Sequence, residues 1–297
     1  MASLHDMKKF FITATSDLRV RELLSSNLPR GTNIENVLDA GGIWLKKKRV
    51  HDGETIVPSG ETIKVHISTF QDKTYFLDIK KDIIFENNDF LVIYKPPDLN
   101  VHQVPSSFYY NLTYGVNQYL KESKIHFEST PLTRLDRPVE GLVIFSKNKD
   151  YERRLFDLIK RRKIKKWYMC ATEKTNHPRY TRVIDRISND GNRTYLDTNG
   201  KDADSLFIKT NSTERIDIYS VFIFTGRRHQ IRFHASQYIS PIIGDWFYGS
   251  SRFLIHDEIA LMCRGYNIPY KKTNLRIRIP ESFIKNFFER ITRYRHK

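Results

Sequence analysis

Residues 133–147 read TRLDRPVEGLVIFSK. The segment opens on Arg134-Leu135-Asp136, turns through Pro138 and Gly141, and runs into Leu142-Val143-Ile144-Phe145. A short apolar run bounded by turn residues is the pattern of a buried strand. The strand thus carries an acid at its entrance, which suits a functional group held on a rigid element beside a loop. On these residues alone, a solvated turn in which Asp136 and its two arginines face water fits equally well.

Upstream, Ile83-Ile84-Phe85 and residues 90–94 (FLVIY) flank Glu86-Asn87-Asn88-Asp89, the pattern of a hairpin with an Asn/Asp turn. Lys95-Pro96-Pro97 closes the second strand, because proline cannot extend a ladder. Residues 109–121 have helical spacing and are expected to pack on that sheet. Downstream, residues 150–164 form an amphipathic helix ending in Lys160, Arg161, Arg162 and Lys163. Lys165 and Lys166 follow, ahead of a buried strand Trp167-Tyr168-Met169-Cys170-Ala171. Residues 181–210 alternate strand-like pieces with turns, and 216–224 is a strong β run. Residues 228–236 read as a helix start, 257–262 as a short element, 276–279 as a strand and 281–290 as a terminal helix. Many strands with few helices give an α+β chain with a large mixed, mainly antiparallel sheet.

The first ten residues read as a flexible lead. Residues 16–28 have helical spacing, with Ser16 as N-cap and Pro29 as stop; 33–40 form a second short helix capped by Asn33 and ended by Gly41-Gly42. Residues 43–45 and 62–67 alternate like strands, and between them lie Lys46, Lys47, Lys48 and Arg49. A polar linker at 70–80 then separates a small α/β module, 1–69, from a large domain, 81–297.

The motif at 133–147 resembles the catalytic motif of the pseudouridine synthases, especially the RluA type, whose usual form is HRLDxxTSGLLVxAK. Further blocks agree in order: ENNDFLVIYKPPDLNV at 86–101, Lys166-Trp167-Tyr168, Gly200-Lys201-Asp202-Ala203, TGRRHQIRFH at 225–234 and PIIGDWFY at 241–248. The 1–69 module resembles the small RNA-binding module first described in ribosomal protein S-four, although Lys47 and Glu61 depart from its usual pattern. The resemblance implies a central active-site cleft, Asp136 as the catalytic carboxylate, Arg232 as its cationic partner and Tyr168 as the active-site tyrosine. It also implies Arg134 as the wedge that fills the gap left by a flipped base, and Ile231 as a wall of the uracil pocket. Arg137 reads as a phosphate contact or a solvated charge, and Lys95 as structural or a phosphate contact. Three departures stand out: Thr133 for histidine, Val139-Glu140 for Thr-Ser, and Met262-Cys263 where His-Ala is common. Glu140, close to Asp136, is expected to face solvent or pair with Arg137.

The charge of +16 over 297 residues, with a pI near 9.7, calls for an anionic partner, and nucleic acid is the usual one. Two basic runs, 46–49 and 160–166, form the expected RNA-binding patch. Cys170 and Cys263 are far apart in sequence and make neither a disulfide framework nor a metal-spaced cluster. There is no glycine-rich phosphate loop, no signal peptide and no transmembrane run. The expectation is a monomeric, cytoplasmic enzyme acting on ribosomal or transfer RNA, with no metal, cofactor or membrane partner. Uracil is detached, rotated and rejoined through carbon five, so no atom is gained or lost. The competing class is a catalytically silent RNA-binding or ribosome-assembly factor on the same scaffold.

Overall fold

A computed structural model describes residues 8–67, 79–105, 109–191, 193–254, 258–293 and 295–296. The chain divides into two compact units, Met1–Lys80 with His102–Lys124, and Lys81–Val101 with Ile125–Lys297. Most of the expected 70–80 linker lies outside the described residues.

In the first unit, β1 (Lys8–Thr13), β3 (Ile43–Leu45), β4 (Lys48–Val50) and β6 (Thr62–Ile67) form an antiparallel sheet in the order β1-β6-β3-β4. Short strands β2 (Leu18–Arg19) and β5 (Ile56–Val57) pair separately. Helices α1 (Val20–Asn27) and α2 (Ile34–Asp39) contribute Leu23, Leu24, Val37 and Leu38 to a core with Ile43, Ile63 and Val65. The expected flexible lead is partly a strand: Ile12 is buried and Phe11 exposed, the period-two pattern that the lysines before them obscure. Helix α1 also starts later than its spacing predicts. Ser16 is not its cap; Leu18 pairs with Val57, and the Arg19 amide donates to the Glu22 carboxylate at 3.0 Å. Asn33 caps α2 as expected, accepting from the Asn36 amide at 3.1 Å. Helix α3 (Leu112–Glu122) groups with this unit, capped by Asn111.

The β3–β4 hairpin turns on Lys46 and Lys47, both left-handed, with φ of 48° and 67°. Such a two-residue turn matches strand twist but is strained for side-chain-bearing residues. It presents Lys46, Lys47 and Lys48 to solvent. Arg49 corrects the expected patch: it stacks on Trp44 at 4.3 Å and donates to the carbonyls of Gly41 and Val104, so its guanidinium serves packing within the unit.

The second unit is built on a ten-stranded sheet. Its strands are β7 (Ile83–Glu86), β8 (Phe90–Lys95), β9 (Glu140–Ser146), β10 (Lys165–Glu173), β11 (Tyr180–Asn189), β12 (Thr194–Leu196), β13 (Lys201–Ser212), β14 (Ile216–Ile223), β16 (Leu261–Tyr270) and β17 (Thr273–Arg278). They run β12-β11-β13-β14-β10-β16-β9-β8-β7, with β17 on β16. Every pairing is antiparallel except β9 with β16. Short strands β15 (Arg252–Phe253) and β18 (Arg295–His296) pair apart. Asn87 closes the β7–β8 hairpin, its side-chain oxygen accepting from the amides of Asp89 and Phe90. Helices α4 (Lys149–Lys160), α5 (Gln230–Tyr238) and α6 (Glu281–Thr292) complete the unit. Strand β9 is buried along its whole length, as its apolar run requires.

At the parallel contact Gly141 faces Cys263. Its φ is +120°, and an added Cβ would lie 2.4 Å from the Cys263 carbonyl oxygen. Glycine is needed there for both reasons. Next to it, Glu140 neither faces solvent nor pairs with Arg137. It is 2% exposed and accepts from the Tyr94 hydroxyl and from Arg290 of α6, which also holds Glu258 at 3.0 Å. The β run carries Glu140 inward, and the terminal helix supplies its counter-charge.

Two outcomes are expected in denaturant unfolding. Gly141→Ala should lose about 2–4 kcal/mol through clash and backbone strain. Arg290→Met should lose about 3 kcal/mol by leaving a buried carboxylate unpaired, and Glu140→Gln in the same chain should restore part of it.

Candidate active site

Strands β9, β16 and β10 lie in the middle of the sheet, and the site gathers at their ends. The segment before β9 first runs beside it. Pro131 bridges Phe145, and Leu132 donates its amide to Ile144 at 2.9 Å. Thr133, in place of the family's histidine, is buried; its hydroxyl oxygen accepts from the Ile144 amide at 3.0 Å and the Tyr266 hydroxyl at 3.1 Å. The chain then loops through 134–139 and closes with the Val139 amide donating to the Asp136 carbonyl at 3.0 Å.

The Lys-Pro turn clamps this loop. The Lys95 ammonium is fully buried and donates to the carbonyls of Pro96, Leu99 and Arg137 at 2.7, 2.8 and 3.0 Å. Three acceptors match its three protons. Burial pulls its pKa down to about 7, against the opposing pull of Glu140, Asp98 and Asp136. A group so enclosed has no surface for a phosphate, so of the two expectations for Lys95 the structural one fits. Arg137 is likewise not a free charge, because its Nε holds Asp98 at 2.5 Å. Arg134 is exposed and, among the described residues, has no ion-pair partner.

Helix α5 is set on the sheet by Gln230. Its side-chain oxygen accepts from the Thr225 hydroxyl and the Arg227 amide, while its amide nitrogen donates to the Asp204 carbonyl and the Ser205 hydroxyl. His229, at the N-cap, has a left-handed φ of 52°. Within the first turn, Arg232 is buried. Its Nε and Nη2 form a bidentate pair with Asp245 at 2.7 and 2.9 Å, and its Nη1 donates to Asp136 Oδ2 at 3.0 Å. Asp245 is 1% exposed and follows Gly244, where an added Cβ would sit 2.2 Å from the Glu258 carbonyl oxygen.

Burial alone would lower the Arg232 pKa, but hydrogen bonds and charge from Asp245, then Asp136, outweigh it and raise it. The cation is permanent. His229 Nε2 lies 3.6 Å from Asp136, and its Nδ1 shares a 2.9 Å hydrogen bond with the Tyr248 hydroxyl. Burial lowers His229 to about 4, so it is a neutral neighbour at physiological pH. Tyr168, on β10, is 7% exposed; burial, then Cys263 and Asp136, raise its phenol well above the ordinary value. It is therefore a proton-bearing hydroxyl. Ile231 is buried beside Arg232.

The structure thus joins Asp136, Arg232 and Tyr168 at one place, with Asp136 still 28% exposed at its side chain. Sequence reasoning assigned no role to Asp245, His229, Gln230 or Tyr248, although all lie inside the motif blocks. The Gly244-Asp245 pair was the available signal: an acid after a glycine in an apolar stretch, in need of a buried cation. The second basic run borders a groove of about 500 Å³ lined by Lys160, Arg162, Lys165, Lys166 and Arg227. Arg161 turns back to Asp157 at 2.9 Å, and Lys163 is exposed in the loop between α4 and β10.

The chain is similar to known proteins in sequence and in fold. Residues 89–237 match the family described as RNA pseudouridylate synthase. The chain is 27% identical to an uncharacterized RNA pseudouridine synthase of Helicobacter pylori, over 92% of this chain and 90% of that one. It is 25% identical to the ribosomal large subunit pseudouridine synthase C of Buchnera aphidicola, over 84% of each. Its fold is similar to that of human RNA pseudouridylate synthase domain containing 4, with a TM-score of 0.59 and 20% identity over 74% of this chain and 96% of that one. With a match across half its length and a mixed, mainly antiparallel sheet in common, this chain belongs to the RNA pseudouridylate synthases, enzymes that isomerise uridine to pseudouridine in RNA.

Proposed function

We propose that this enzyme isomerises particular uridines in a structured ribosomal or transfer RNA, with Asp136 as its essential carboxylate. One observation carries the assignment: Arg232, immobilised by buried Asp245, donates its remaining Nη1 to Asp136 at 3.0 Å. A carboxylate that must meet an electron-poor sugar or base needs a fixed position, and the immobilised guanidinium provides it. The other assignments follow from placement. Tyr168 stacks on the flipped uracil and supplies a hydroxyl proton, and Ile231 walls the base. Arg134, exposed beside Asp136, enters the duplex as the base leaves it. Lys95 holds the loop from below and touches no substrate.

RNA is gathered in two places. Around the groove at 160–166, Lys160, Arg162, Lys165, Lys166 and Arg227 surround aromatic Phe224. In the first unit, Lys46, Lys47 and Lys48 project from the β3–β4 turn. We read that unit as an S-four-like RNA-binding module; its two short helices packed on a four-stranded sheet with a basic hairpin support the reading. Monomeric action in the cytoplasm is part of the same proposal.

Pseudouridine mapping by carbodiimide primer extension on total RNA tests the assignment. Wild-type enzyme should give a new stop, and Asp136→Asn should reduce its formation about a thousandfold or more while binding RNA as tightly. No stop with either protein, with binding intact, would favour the silent RNA-binding factor. Binding should weaken about a hundredfold between roughly 50 and 200 mM salt, and a flat response would remove the phosphate-contact model. Acid stability has its own signature. Burial holds His229 and His234 to about 4, against an ordinary 6.5. The unfolded chain takes up these protons first, so stability is full above about 6.5 and falls as the pH drops toward 4. Thermal melts should show that decline, and His234→Gln should flatten it.

A further inference from the structure

One face of the second unit's sheet is largely open. Directly paired residues of adjacent strands share a face, and successive residues alternate. Arg182 pairs with Leu206, Leu206 with Phe222, Phe222 with Trp167, Trp167 with Gly265, and Gly265 with Arg278. This row crosses five strand pairings on one side. Tyr168 is the next residue after Trp167 and pairs in unbroken register with Val221, so it belongs to the opposite, catalytic side; a bulge in β16 sets Cys263 opposite it.

The row's side of the sheet is largely open. Tyr180 is 60% exposed, Ile184 64%, Phe222 37% and Phe224 40%. On the other side the alternating partners Val183, Phe207 and Val221 are buried. Exposed aromatics in such number on one face are costly in water and mark a binding surface. Arginines accompany them: Arg278 lies 5.8 Å from the Trp167 ring, Arg182 5.5 Å from Phe224 and Arg179 5.5 Å from Tyr180. Gly265 makes room for Trp167, since a Cβ there would lie 2.3 Å from the indole. A groove of about 510 Å³ runs along this face. Lys165, Lys166, Arg264, Arg276 and Arg278 line it, and no acid does.

We propose that this open face is a second RNA site, a stacking platform for a single-stranded segment flanking the target uridine. The chemistry on the page matches one ligand. Flat aromatic rings offer stacking to any base, and the cations between them track a phosphate backbone. The face is also continuous with the catalytic side. Its groove shares Lys165, Lys166, Ile223 and Phe224 with the groove at 160–166, which in turn shares Gly226 and Arg227 with a third. That third groove includes Arg228, the neighbour of His229, whose ring is 3.6 Å from Asp136. A strand leaving the catalytic site thus has a basic path over the strand ends to the platform. The inference rests on the RNA reading of the site, and goes beyond it by placing bound RNA on the far side of the sheet.

The test is fluorescence anisotropy of the full chain with a labelled single-stranded RNA of about ten nucleotides, roughly one such site size. Phe222→Ala, a ring that lines the platform groove and not the groove at 160–166, should weaken binding about tenfold, with a cooperative thermal transition retained. Arg276→Gln/Arg278→Gln is the second variant, and should lower the salt slope by about one to one and a half. Asp136→Asn should bind the oligonucleotide as wild type does. Equal binding by wild type and both platform variants overturns the platform. So does a wild-type dimer in sedimentation that the phenylalanine variant dissolves, since the face would then belong to a second copy. Loss of pseudouridine in Asp136→Asn together with undiminished oligonucleotide binding by the phenylalanine variant would sink the platform and leave the catalytic assignment standing. Product formation by Asp136→Asn would do the reverse.

Discussion

The site depends on one guanidinium shared by two carboxylates of unequal exposure. Arg232 gives two parallel donors to Asp245 and one to Asp136. The planar fork makes this division geometric: with Nε and Nη2 facing Asp245, Nη1 is held on the other side of the plane's axis, where it donates to Asp136. Asp245 is out of solvent and fixed by the chain turning at Gly244, so the arginine has one position. Three segments distant in sequence, the loop at 134–139, the start of α5 and the turn at 244–245, meet through that group. Asp136 alone of the three charged partners keeps substantial access to solvent, which leaves it able to meet a substrate.

Around that contact the fold is arranged to keep the loop still. The Lys95 ammonium joins the Lys-Pro turn to the Arg137 carbonyl, and Arg137 returns to Asp98. Tyr266 reaches from β16 to Thr133 and to the Leu142 carbonyl. Glycine at 141 lets β9 and β16 approach closely enough for these bonds to form. Thr133 therefore preserves, by a hydroxyl and a neighbouring phenol, the attachment of a loop whose family form begins with histidine. The two faces of the same sheet differ: a partly open carboxylate with its buried arginine and tyrosine lies on one, and open rings with cations on the other.

Much of this was legible in residues 133–147, 166–168 and 225–248, because the motif blocks join residue type, spacing and order. Asp136, Arg232 and Tyr168 could be picked out together, as could the mainly antiparallel sheet, from the many strand-like runs. Where the reading failed, a partner far along the chain decided the outcome. Glu140 was expected outside because nothing nearby neutralises it; its counter-charge is Arg290, 150 residues away. Arg49 looked like part of a free basic run, yet beside Trp44 it is taken up by the carbonyl of Val104, 55 residues away. Ser16 looked like a helix cap, but the Leu18–Val57 pairing moves the helix start to Val20. Local pattern sets which segments are strands and helices, whereas burial of charge is settled only when distant segments pack.

We propose that Asp245 bears on pseudouridine formation through Arg232, the guanidinium that it immobilises beside Asp136. A double-mutant cycle on single-turnover pseudouridine formation tests it, using Asp245→Asn, Arg232→Lys and the pair. Strong non-additivity, with the double variant about as slow as the slower single one, is the predicted result. Additive losses would mean that the two residues act independently, and would contradict the account of a single shared guanidinium holding the Asp136 carboxylate.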